Sequence, residues 1–465
     1  MPPPLQNEPV MSKIFQTLAR VLLVAVLLNS HIYSGAYSQE SVTPEQFTQD
    51  FDYLWSQLRD NYAYFDKKQT DWNMVREVYR PRVARVRDKR EFVTLLERVL
   101  EELYDPHTHL KINTNRSTRL LPTGLDVWAE WENGEAMITQ LRKGFSAEQA
   151  GLKVGMRITS INGVPVKTAV NNRVGVSLRK ITEDARSWVL RALLAGTRDT
   201  RRVIEAQTAN GVKATFQLDL PVHTTVDNYR GDKKVEWKLL KDGFGYIKIN
   251  DLGADDTVAE FDAALEQVKT TRGLIIDLRA TQSGGNTSVA EPIMGRLIGR
   301  RMPYQKGTPR HGESWTREVS PGGGWTYKAP AVVLVGRWTA SMGEGVAIGL
   351  DAMKRATVVG TRMAGLNGAV FDLQLPNTRI KLNYAAEKLF HLNGTPREDF
   401  VPPVAVKLSE KRKGDVILEE GIRTLRGLLK RQPNKPMHPT ADTTTVLLSN
   451  GAGRRVRPGV SWLPH

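Results

Sequence analysis

The chain of 465 residues contains no cysteine. That absence excludes disulfide staples, thiolate metal sites, a cysteine nucleophile and a lipid-anchored N-terminal cysteine. There is no His-Glu-x-x-His pattern, and no Glu-rich partner stands near His107 and His109, so neither a metal nor a cofactor is expected. The formal charge is +16, but the cations are scattered through amphipathic segments. With no long basic run and no nucleic-acid motif, the surface reads as solvated and basic, and no nucleic-acid partner is expected. Beyond the N-terminus no stretch is apolar enough to cross a bilayer. At the N-terminus, Lys13 and Arg20 precede the apolar run 21–28, and Ala36-Tyr-Ser38 offers small residues before Gln39. Residues 1–38 therefore read as a signal peptide. Cleavage would leave no stable membrane span and send the protein to the periplasm or cell envelope, or out of the cell.

What is present fits a globular protein of two or three packed domains, 40% hydrophobic and 25% charged. Residues 43–115 form an N-terminal helical region. Thr43-Pro44-Glu45-Gln46 has the form of a capping box with proline at the first helical position, and Phe47, Phe51, Leu54 and Leu58 follow at helical spacing. A second helix uses Trp72, Val75 and Val78. A third, with Phe92, Leu95, Val99 and Leu103 on one face, is predicted to run to Asp105-Pro106, because the residue before a proline is pushed out of the helical region.

Residues 120–225 change to short β-like runs and turns. Phe145-Ser-Ala-Glu-Gln-Ala-Gly-Leu152 and the later Ile161-Asn-Gly163 turn resemble, in that order, a PDZ domain. The resemblance implies a groove that binds extended peptides, with Gly124 and Leu125 in the loop that would receive a terminal carboxylate. The module is then expected to select substrates rather than perform chemistry. Residues 235–408 alternate strand and helix around apolar runs at 273–279, 331–336 and 356–360, which is α/β patterning with a largely parallel sheet. The segments 371–375 and 379–382 read as a hairpin around Pro376-Asn377. The tail 432–465 is rich in Pro, Thr, Asn and Arg, lacks periodicity, and reads as disordered.

One serine is placed for chemistry. Ser341 follows the apolar run 331–336 and precedes the helix-like stretch 345–353. A serine at a strand-to-helix junction is ordinarily an N-cap. It is also where a nucleophile could attack a carbonyl whose oxygen is received by the free N–H groups of the helix start.

The segments Ala280-Thr-Gln-Ser-Gly-Gly-Asn286, Thr339-Ala-Ser-Met-Gly-Glu344, Val358-Val-Gly-Thr361 and Asn393-Gly-Thr-Pro-Arg-Glu-Asp-Phe400, with the PDZ-like module upstream, together resemble the C-terminal processing (tail-specific) serine peptidases. The resemblance implies a crotonase-like α/β core, export, and cleavage of proteins or peptides near exposed C-termini. The family's Ser–Lys dyad has no counterpart, since no lysine stands between Lys354 and Lys381. The chain is more similar to the tricorn-core branch. That likeness implies Ser341 as nucleophile, His107 as base and Glu398 as its support, with Asp399 as Glu398's rival. It also implies an oxyanion hole from the N–H groups of Gly284 or Gly285 and of Met342. A neutral imidazole base suits serine activation, and the rate is expected to rise through a neutral-range pKa. The chain departs from the family at Ala280-Thr-Gln-Ser283, where Gly-Asn-Pro is usual, and at Thr361, often glutamate. The competing reading is a weakly catalytic peptide- or ligand-binding protein that keeps the fold.

Overall fold

Thr43 accepts the Gln46 N–H, the Gln46 side chain returns to the Thr43 N–H, and Pro44 opens helix α1 (Pro44–Asn61). The computed structural model describes residues 42–219, 233–282, 284–409, 412 and 414–431. The expected signal peptide and the tail 432–465 lie outside the described residues. In α1, Phe47, Phe51, Leu54 and Leu58 form the buried stripe that their spacing predicts. Helix α2 (Trp72–Val83) is capped by Asp71, which accepts the N–H groups of Asn73 and Met74. Helix α3 (Lys89–Glu101) is capped by Asp88. It stops at Glu101, short of Asp105-Pro106, and Tyr104 then takes a left-handed turn at φ 49°. Leu103 is buried from that turn rather than from the helix. Strand β1 (His109–Leu110) follows.

A β-rich module comes next. Strands β2 (Val127–Glu132), β3 (Glu135–Leu141), β4 (Arg157–Ile161), β5 (Val164–Pro165), β6 (Val203–Gln207) and β7 (Lys213–Gln217) form one antiparallel sheet, ordered β2-β3-β4-β6-β7 with β5 on β4. Helices α4 (Ser146–Gln149), α5 (Val166–Arg173) and α6 (Glu183–Ala195) accompany it. The Arg202 guanidinium bridges Asp126 and Asp219, each at 2.6 Å, and so anchors the segment that leads into β2.

The remaining elements are β8 (Val235–Leu239), β9 (Gly245–Ile249), α7 (Thr257–Gln267), β10 (Leu274–Asp277), α8 (Thr287–Gly295), β11 (Met302–Pro309), β12 (Trp315–Val319), β13 (Ala331–Val335), α9 (Met342–Ala352), β14 (Ala356–Gly360), β15 (Ala369–Gln374), β16 (Lys381–Phe390), β17 (Val404–Ala405) and α10 (Val416–Lys430). The central sheet runs β17-β14-β13-β10-β9-β8 and is parallel except for β8. One face (Ile247, Ile276, Val333, Val358) shares a core with α7, α8 and α9. The other (Tyr246, Ile275, Val332, Leu334) is covered by α10 through Val416, Ile417 and Leu425. Burial on both faces explains the continuous apolar runs of β10 and β13. Helix α10 lies beyond the expected end of the core at 408. Fully buried Leu425 shows that it belongs to the fold, and its truncation to alanine would cost about 2–5 kcal/mol.

A third sheet, β1-β16-β11-β12 with β15 on β16, is antiparallel. Leu373, Leu375, Ile380 and Leu382 of the expected hairpin region share a core with α1–α3. Through the β1–β16 pairing, His109 opposite Asn383, this sheet docks the N-terminal region and delivers the loop that holds His107.

Candidate active site

Ser341 lies at the carboxyl end of β13, where open α/β sheets place their ligands. The turn into α9 is pinned to the core. Thr339 Oγ1 donates to the Leu278 carbonyl at 2.9 Å and accepts the Gly336 N–H at 3.0 Å, while the Ala340 N–H donates to Thr281 O at 3.0 Å. Ser341 takes the N-cap position of α9 with φ 50° and ψ −111°, a conformation rare for a residue with a side chain. Its Oγ lies 3.1 Å from His107 Nε2.

His107 is held by its own loop. Asp105 Oδ1 accepts the His107 N–H, and Asp105 Oδ2 accepts the hydroxyls of Tyr62 and Thr108, all at 2.9 Å. His107 Nδ1 lies 2.7 Å from the Asn367 carbonyl oxygen. A carbonyl only accepts, so the network assigns the proton to Nδ1 and leaves the Nε2 lone pair facing Ser341. Burial, and then the nearby Arg397 cation, push the imidazole down to about 4, so it is neutral at neutral pH. The neutral-range titration expected from the sequence is thus moved towards acid. His109, two residues on, turns its Nδ1 to the Leu110 carbonyl.

Glu344, three residues after Ser341, is fully buried. Its carboxylate accepts the Ser341 N–H at 2.8 Å, the Gly365 N–H at 2.8 Å and the Leu366 N–H at 3.3 Å. Burial pushes its carboxyl up to about 7, against the pull of Arg397 and those three donors. Arg397 Nη2 donates to Leu366 O and Gly368 O. One carboxylate and one guanidinium therefore tie the serine turn to the loop whose Asn367 carbonyl orients His107.

The remaining expected residues are placed as follows. Glu398 does not reach His107. Lys67 Nζ holds Glu398 Oε1 at 2.6 Å and Asp399 Oδ2 at 3.2 Å, and the Nδ1 position expected to meet a carboxylate is filled by the Asn367 carbonyl. Glu398, expected to support the base, and its rival Asp399 thus both pair with Lys67, and the direct partner of His107 Nδ1 is a backbone carbonyl. Gly284 lies against the serine, since a Cβ there would stand 2.7 Å from Ser341 Cβ and 3.0 Å from its Oγ. Gly285 pairs with Leu252, and a Cβ there would meet Leu252 backbone at 2.2 Å. The Met342 N–H, first in α9, makes no hydrogen bond among the described residues. Gly124 and Leu125 do not present free donors. Their N–H groups go to Leu120 O at 2.5 Å and Pro122 O at 3.1 Å, so the carboxylate-receiving loop expected there is closed on itself.

Sequence reasoning missed three participants. Glu344 carried a signal, the Ser-x-x-Glu capping-box spacing. Asp105 carried another, an aspartate two residues before the histidine it caps. The Asn367 carbonyl carried none, because backbone acceptors have no side-chain signature.

The chain is similar to known peptidases. The profile of peptidase family S41 matches residues 243–402, and that of the tricorn protease C1 domain matches 43–101. The chain is 26% identical to the carboxyl-terminal-processing protease of Synechocystis sp. over 334 residues, 67% of this chain and 70% of the relative. It is 25% identical to the chloroplastic C-terminal processing peptidase of Tetradesmus obliquus over 362 residues, 73% of each. Mature CPAF superposes with a TM-score of 0.56 at 16% identity, covering 83% of this chain and 97% of that one. The photosystem II D1 C-terminal processing protease does so with a TM-score of 0.52 at 21% identity, covering 82% and 97%. The chain thus carries a peptidase family S41 domain at 243–402 and a tricorn C1 domain at 43–101, is similar to carboxyl-terminal-processing proteases, and is a serine-type peptidase.

Proposed function

We propose that the protein is an exported endopeptidase that cleaves proteins or peptides near exposed C-termini through a Ser341–His107 pair, as in the tricorn-core branch of the family. The observation that carries this reading is the 3.1 Å contact between Ser341 Oγ and His107 Nε2, with Nδ1–H held by Asn367 O. His107 Nε2 removes the hydroxyl proton as Oγ attacks the scissile carbonyl. The tetrahedral oxyanion is received by the Met342 N–H and an N–H of the Gly284-Gly285 turn, worth about 3–4 kcal/mol per donor. The imidazolium then returns its proton to the leaving amine, and water, deprotonated by the same imidazole, releases the acyl group. Orientation of the base falls to the Asn367 carbonyl, with Glu398 and Lys67 behind that loop. The signal-like segment 1–38 read from the sequence supports an envelope location.

The test uses an unstructured protein offered with a free and with an amidated C-terminus, its products sequenced by mass spectrometry. Internal cuts clustered near the free C-terminus are expected. Cuts that release single residues from either end, or cuts distributed without regard to the terminus, would overturn C-terminal-directed endoproteolysis.

A further inference from the structure

Three residues before Ser341, the core gives a large side chain to the neighbouring module. Trp338 is 2% exposed and packs among Leu125, Trp128 and Leu194 of the β-rich module rather than in the core that contains β13. Its Nε1–H donates to the Leu125 carbonyl at 2.6 Å, and its ring meets Trp128 edge-on with centroids 6.2 Å apart. Beside it, Arg337 forms an ion pair with Glu130 of β2 and lies 5.1 Å over the Trp128 ring. The other side of the site is held too. Thr361 Oγ1 donates to Gln140 Oε1 of β3 at 2.8 Å, and Arg337 Nη1 reaches the Met363 carbonyl at 3.3 Å. The module thus grips both the turn that carries Ser341 and the start of the loop that carries Asn367. One edge group of the module is itself taken up, for the Trp131 N–H of β2 donates to Ser187 Oγ of α6 at 2.8 Å.

We infer that Trp338 is a positioning residue for the nucleophile, and that the β-rich module is a clamp on the serine turn as well as any selector of substrates. The inference rests on Ser341 being the nucleophile. The turn is strained at Ser341 and needs restraint from outside to stay so. On the core side that restraint is Thr339 on Leu278 and Ala340 on Thr281. On the module side it is the indole, whose loss frees residues 336–338 to relax. A displacement of about 1 Å at a reacting atom costs on the order of 10²-fold in rate. The module expected from sequence to be separable from the chemistry is bound into it.

The experiment uses the full chain and a short amidated peptide substrate, which takes no terminal carboxylate into account, together with fluorophosphonate labelling. Trp338→Ala is expected to lower kcat by about 10²-fold with KM within about twofold and the melting transition still cooperative. Trp338→Phe, which refills the apolar space, should recover most of that loss. If Trp338→Ala fails to fold, Arg337→Gln decides, since it keeps the indole buried. A drop in kcat of about tenfold at constant KM supports the clamp. A folded Trp338→Ala, or in its absence Arg337→Gln, with kcat within threefold of wild type overturns it. Ser341→Ala, run alongside, separates the two readings. An active Ser341→Ala refutes the nucleophile, whereas an inactive one beside a fully active Trp338→Ala refutes only the clamp.

Discussion

Replacing Glu344 by glutamine tests whether one buried carboxylate couples the two halves of the site. Glutamine keeps the shape but substitutes an NH2 for one oxygen. Three backbone donors converge on the carboxylate, from Ser341, Gly365 and Leu366. At least one of them would then face N–H hydrogens, losing a hydrogen bond to a charged group worth about 1.5–3 kcal/mol. Arg397, 3.9 Å away and 3% exposed, would also lose its anionic neighbour. At pH 8 or above, where the carboxyl that burial pushes up to about 7 is ionised, the change together costs about 3–5 kcal/mol, the range for breaking a buried ion pair from one side. Part of that loss falls on the Ser341 turn and on the Asn367 loop, both of which must be in place for proton transfer. If roughly 2 kcal/mol of it appears in the activation barrier, kcat falls by about 30-fold. The assay is steady-state turnover of a short peptide with a melting curve on the same sample. The reasoning predicts a lower melting temperature, kcat reduced by at least tenfold and KM nearly unchanged. A protein with wild-type kcat and melting temperature would refute it.

His107→Ala should lose about 10²–10⁴-fold in kcat/KM, whereas His109→Ala, which removes only a bond to the Leu110 carbonyl, should stay within about fivefold; the reverse order would show that the wrong histidine has been assigned. Because the folded imidazole is held down at about 4, the neutral base persists as pH falls through its usual range and is lost only near that value, which the pH profile of fluorophosphonate labelling reads directly. The same depression makes stability fall with pH between about 6.5 and 4, as the unfolded chain takes a proton the folded one refuses, by up to about 3 kcal/mol in denaturant titrations. Gly284→Ala, with φ 74° and a Cβ 2.7 Å from Ser341 Cβ, combines a left-handed strain of about 1–2 kcal/mol with a direct push on the nucleophile; labelling should slow by at least tenfold, and unchanged labelling would remove Gly284 from the site.

The legible parts of the sequence were those whose side chains set their own structure. The Thr43 capping box and the Phe47–Leu58 spacing specify α1 locally, and the apolar runs of β10 and β13 report burial on both faces. Ser341 drew notice because its strand-to-helix junction is a local pattern, whereas His107 rested on the likeness to the tricorn-core branch and on no local signal. The direct partner of His107 was not legible, for a different reason. Which acceptor takes His107 Nδ1 is decided by the path of the 365–368 backbone, and Asn367 offers its carbonyl there whatever its side chain. Gly124 and Leu125 failed similarly, since glycine frees a backbone but does not say where its N–H goes. Trp338 reads as one more apolar residue near a strand, and only packing across two modules reveals its partner. Helix α10 was missed because it follows a break in the α/β alternation, though its face is plainly amphipathic once Val416, Ile417 and Leu425 meet the sheet.

The central claim is that Ser341, activated by His107, is the nucleophile. Its most direct measurement is fluorophosphonate labelling of the full chain near neutral pH, followed by proteolytic digestion and mass mapping of the modified residue. The account predicts a single adduct on Ser341, abolished in Ser341→Ala and slowed by at least 10²-fold in His107→Ala. An adduct on another residue, or labelling of Ser341 that proceeds at the wild-type rate without His107, would contradict it.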